Sequence, residues 1–93
     1  MPRYVRNWKF TEVVSFLEQH FFEFVKARGS HHYYRGFVDK KVKLVEVQFH
    51  PGESIKPRTL QHDIIVKSGI PQRVWTRWGN AGKKRLRKKI QHL

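Results

Sequence analysis

The sequence predicts a single α+β domain in the order α-β-β-β-α. A three-stranded antiparallel sheet carries its helices on one face, with a short extra helix behind them. Three observations predict this. Apolar residues recur at helical spacing over residues 11–20 and again after Pro57. Between those stretches they alternate with polar residues, as in strands with one buried and one wet face. Gly-Ser, Pro-Gly and Ser-Gly pairs punctuate the chain between the stretches.

Taken in order, residues 1–9 hold Arg3, Arg6, Lys9, Tyr4 and Trp8, too few for a domain, and read as an ordered extension or a frayed arm. Thr11 suits a helix N-cap, and Glu12 suits the positive end of the helix dipole. Val13, Val14, Leu17 and Phe21 then form the stripe of an amphipathic helix over 11–20. At Phe22 the period changes. Phe22 to Ala27 predicts the first strand, and a helix continued through Lys26 is the alternative. Arg28-Gly29-Ser30 turns into a second strand, His31 to Gly36. A loop is expected from Phe37 to Lys41, followed by a third strand from Val42 to Phe49. Alternation puts Val45, Val47 and Phe49 inward and Leu44, Glu46 and Gln48 outward. Pro57 opens a helix with the stripe Leu60, Ile64, Ile65 and with Gly69 as its stop. Pro71 restarts a short helix through Val74, Trp75 and Trp78, closed by Gly79.

The bulk numbers narrow the function. With 93 residues the chain has room for one modest core, its boundaries expected at 1–79 with a basic tail at 80–93. Twenty Lys and Arg against seven Asp and Glu give a formal charge of +13. That charge predicts a polyanionic partner: nucleic acid, an anionic membrane or an acidic protein. No cysteine is present, which excludes disulfides and thiolate metal sites. No apolar run nears the roughly 18 residues of a membrane span, and the first residues lack a signal peptide's apolar stretch. The expected setting is cytoplasmic.

Chemistry-bearing residues gather in two stretches, Arg28-Gly29-Ser30-His31-His32-Tyr33-Tyr34-Arg35 and Phe49-His50-Pro51-Gly52. With the later Ile55-Lys56-Pro57-x-Thr59-Leu60 and Ser68-Gly69-Ile70-Pro71, their spacing resembles the HicA (YcfA-like) toxins of toxin–antitoxin pairs. The likeness covers about residues 10–75. It departs at Gln48, where the family often has proline, and at Phe21, where a helix-ending glycine is usual. The resemblance implies a fold like that of double-stranded-RNA-binding domains. It also implies a metal-independent mRNA endoribonuclease without cofactor, and an antitoxin of the HicB type as partner. Its catalytic histidine falls on His31, which follows Gly-Ser, with His32 as the alternate.

A histidine is chemically sensible there. RNA carries its own nucleophile, the 2′-hydroxyl, and a group titrating near neutrality accepts its proton. Adjacent strand residues face opposite sides, so only one of the two histidines can address a given phosphate. Arg28, Ser30, Arg35, His50, Lys56 and Arg58 are candidate phosphate contacts, and Tyr33 and Tyr34 are candidate base-stacking rings, at least one of them expected in the core instead. A metal held by His31, His32 and His50 is the poorer reading, since no carboxylate pair stands near to complete a shell. A non-catalytic RNA-binding protein on the same fold is the competing reading. A DNA-binding module ranks below both, for want of a basic recognition helix.

Lys83, Lys84, Arg85, Arg87, Lys88 and Lys89 supply six of the twenty basic residues, and the rest of the chain keeps a formal +7 without them. They read as RNA contacts. Alternatively, Leu86, Ile90 and Leu93, spaced as one helical seam, dock on the domain. Deleting residues 80–93 should weaken RNA binding and lower its salt slope by roughly two units, at about 0.7 per phosphate contact. A docked tail predicts instead a lower melting temperature and an unchanged slope, so both quantities are to be measured on the truncated protein.

Overall fold

The structure is a computed structural model that describes residues 7–50 and 52–79. The expected tail and residues 1–6 lie outside the described residues. The first helix, α1, spans Phe10–Gln19. It begins earlier than Thr11 suggests because the Lys9 N–H donates to Glu12 Oε1 at 3.0 Å, which moves the cap to Lys9. Val13, Phe16 and Leu17 are its buried residues, so Phe16 takes the inward place that the sequence assigned to Phe21.

Phe21 has another role. The Phe22 N–H donates to Leu17 O at 2.9 Å and the Phe21 N–H to Glu18 O at 3.1 Å. These two bonds make a Schellman stop, whose reversing residue sits in the left-handed region. Phe21 is that residue, with φ 67°, and its ring is 89% exposed. Reversal there drops Phe22, the next side chain, into the core.

Three strands follow: β1 Glu23–Arg28, β2 His31–Val38 and β3 Lys41–Gln48. They pair antiparallel in sequence order, with a bulge in β1 between Phe24 and Lys26. Gly29, at φ 57°, opens the first hairpin turn, and Arg28 faces His31 across it. The second turn is tighter than the expected loop. Asp39 and Lys40, at φ 51° and 62°, form a two-residue turn of the I′ kind, so Phe37, Val38 and Lys41 belong to strands.

One face of the sheet is covered. Tyr34, Gly36, Val45 and Val47 point to it and are buried. A Cβ on Gly36 would stand 2.5 Å from the Phe22 ring, so the ring lies directly on backbone. Phe49, expected inward, falls just past the end of β3 and is 40% exposed. Its ring reaches sideways to Phe10 instead, centroids 4.8 Å apart.

A second helix covers 57–68, with Pro57 in its first turn and a π-wound middle, Leu60–Ile65. Gly69, at φ 75°, ends it. A third helix occupies 72–79. Its Trp75 stacks on Phe16 at 3.7 Å, and Trp8 packs 5.4 Å from both Trp75 and Trp78. Trp8 is thus a core residue, 4% exposed, although the sequence read it as part of an extension. The chain returns it to the interior through Ile55, whose N–H donates to Trp8 O at 2.7 Å.

Two substitutions test this frame by chemical denaturation. Gly36→Ala should destabilise the fold by about 2–3 kcal/mol, because the Phe22 ring cannot retreat without opening the core. Phe21→Gly should stabilise it by about 1 kcal/mol, since a left-handed conformation costs a residue with a Cβ that much.

Candidate functional site

The alternation of β2 sorts the candidate residues between two faces. His31, Tyr33 and Arg35 lie on the open face of the sheet, and His32 lies on the helix side. His32 packs edge-on to Phe10 at 5.1 Å and stands 5.7 Å from Phe49 and 5.9 Å from Phe24. The two histidines therefore serve different surroundings. Tyr34, next on the helix side, has its phenol pushed above its usual value by burial and, secondarily, by the Glu18 carboxylate. It stays a neutral core group.

On the open face, His31 Nδ1 hydrogen-bonds to Glu46 Oε2. The two side chains are 44% and 47% exposed. Register explains the meeting. Gln48 pairs with His31 and Tyr33 with Glu46, so Glu46 reaches His31 diagonally on a shared face. Arg28 is the cross-strand partner of His31 on the other side. Lys26 Nζ sits 5.5 Å from the Tyr33 ring centroid. The Phe49 N–H donates to Ser30 O at 2.7 Å, tying the Gly-Ser turn to the end of β3.

Beside this pair an open groove of about 770 Å³ follows β3 toward the second helix. Tyr33, Glu46 and Gln48 line it from the sheet, and His50, Lys56 and Lys67 from beyond. The groove is not simply basic, because Glu53 and Asp63 also line it. Of the expected contacts, Tyr33, His50 and Lys56 meet here. Arg35 lies four residues along β2 from His31, roughly 13 Å at strand rise, beside Leu44. Arg58 is exposed in the first turn of the second helix and does not line the groove. The tail lysines and arginines lie outside the described residues.

Sequence reasoning missed Glu46, Lys26, Gln48 and Lys67 as site residues. Alternation had put Glu46 and Gln48 on the wet face, but only the register joins Glu46 to His31. Toward the β2–β3 turn the open face becomes apolar, with Phe37, Val42 and Leu44 each more than half exposed. Among the described residues no group of three His, Cys, Asp or Glu side chains is arranged to hold a metal. None of their helices is long and apolar enough to cross a membrane.

A small basic α+β protein, with a half-exposed histidine hydrogen-bonded to a carboxylate, is the class that fold and site define together. The family model described as the HicA toxin of bacterial toxin–antitoxin pairs matches residues 10–70. The chain belongs to the HicA toxin family, and an antitoxin is the partner that membership implies. No curated protein and no solved structure matches the chain.

Proposed function

We propose that this toxin is a cytoplasmic, metal-independent endoribonuclease that cleaves single-stranded mRNA with His31 as its general base. The observation that carries this reading is the place of His31: half-exposed on the uncovered sheet face, held through Nδ1, with Arg28 across the strand pair. His31 takes the proton of a ribose 2′-hydroxyl. The 2′-oxygen attacks the adjacent phosphorus, the bond from phosphorus to the 5′-oxygen breaks, and water protonates the leaving oxygen. The products are a 2′,3′-cyclic phosphate and a 5′-hydroxyl end. Arg28 offsets the charge developing on the phosphoryl oxygens, as a guanidinium does best in bidentate contact. Tyr33, one side of whose ring carries Lys26, stacks a base in the groove, and His50 and Lys56 hold phosphates beside it. Ser30, Arg35 and Arg58 contribute to the wider electrostatic surface.

An antitoxin of the HicB type silences the enzyme by covering the open face. Phe37, Val42 and Leu44 supply apolar contact there, next to the charged residues that RNA would use.

The test separates the two histidines. His31→Ala should lower cleavage of an RNA oligonucleotide by about 10²–10⁴-fold, remove growth toxicity and keep RNA affinity and melting temperature. His32→Ala should lower the melting temperature through lost aromatic packing and keep the cleavage rate. Wild-type cleavage by His31→Ala would remove His31 as the base. RNA binding by a wild-type protein that cleaves nothing would leave a binding protein on this fold.

A further inference from the structure

We infer that Glu46 is a positioning residue, which fixes the proton of His31 on Nδ1 so that Nε2 is presented to RNA as the base. The inference rests on the reading of His31 as a general base, and its own content is the division of labour between the two ring nitrogens.

A neutral imidazole has one N–H, and the partner of one nitrogen decides which nitrogen carries it. A carboxylate only accepts, so the contact between His31 Nδ1 and Glu46 Oε2 selects the Nδ1–H tautomer. Nε2 is then left with its lone pair, the state a base requires. Once Nε2 has taken a proton, the same carboxylate faces an imidazolium and stabilises it. This is the logic by which an acidic residue orients the histidine of a hydrolase triad.

Two features argue against a merely structural pair. The side chains are 44% and 47% exposed, and ion pairs this exposed contribute little to stability. Glu46 also stands where a binding surface for a polyanion should not have it. Glu53 and Asp63 line the groove as well, but Glu46 is the acidic residue that hydrogen-bonds to the candidate base itself. Toward RNA phosphates it is repulsive, so its removal should not weaken substrate binding. Binding and turnover are thereby expected to move in opposite directions, which a structural role would not produce.

The experiment uses Glu46→Gln and Glu46→Ala in the full chain, with steady-state cleavage of a single-stranded RNA oligonucleotide. Nitrogen-15 NMR of the His31 ring accompanies it. Both variants should melt within about 2 °C of wild type. Glu46→Ala should lower kcat by about tenfold to hundredfold, with KM unchanged or reduced. Glu46→Gln, whose side-chain oxygen still accepts from Nδ1–H, should lose less. The ring nitrogens should report the Nδ1–H tautomer in wild type and a mixture in Glu46→Ala. The inference is overturned if Glu46→Ala keeps wild-type kcat, if KM rises while kcat holds, or if the tautomer does not change. If the wild-type protein cleaves no RNA, the ribonuclease reading falls. The NMR comparison then still decides, separately, whether Glu46 sets the proton of His31.

Discussion

The contact of the Phe22 ring with the backbone of Gly36 is the constraint on which the rest of the molecule depends. No side chain fits between them, so Gly36 must face the helices. A strand's faces alternate strictly, so fixing one residue fixes all of β2. Tyr34 and His32 follow Gly36 inward, while Arg35, Tyr33 and His31 are sent outward. The residues of the open face are thus decided by a packing contact on the opposite side of the sheet. A side chain at Gly36 would collide with the Phe22 ring and disturb this arrangement without touching His31 or Glu46.

How Phe22 reaches that position explains an oddity of the sequence. A glycine at position 21 would give the helix stop its left-handed residue at little conformational cost. Phenylalanine gives the same reversal at some cost, and exposes a large ring as well. The sequence alone could not show whether Phe21 or Phe22 was the buried member. Either satisfies an apolar stripe, and the choice belongs to the hydrogen bonds of the terminal turn.

Much of the fold was legible because its signals were local: Gly-Ser and Ser-Gly turns, Pro57 at a helix start, alternation through Val45 and Val47. The site was legible in part for the same reason. His31 and Tyr33 could be assigned a common face from spacing alone. Glu46 could not be assigned to His31, because that needs the register of two strands. A loop spanning Phe37 to Lys41 would pair His32 with Glu46, whereas the two-residue turn at Asp39 and Lys40 pairs Tyr33 with Glu46 and brings it to His31. One residue of slip separates the two arrangements, and an Asp-Lys pair is a weak I′ signal beside Asn-Gly. Trp8 was misread for a related reason: nothing near it in sequence indicates burial, and its partners lie at Trp75 and Trp78.

That last pairing bears on the order in which the protein comes into being. The sheet is two consecutive hairpins with short turns, and such neighbouring contacts form rapidly once their residues are free in solution. The aromatic interior is different, for Trp8 and Phe16 wait on rings from the third helix. At synthesis rates of about 5–20 residues per second, several seconds separate the emergence of the first tryptophan from that of the last. During that interval a nascent chain can display its hairpins without a closed interior. The aromatic interior therefore cannot close until residues near 79 have cleared the ribosome.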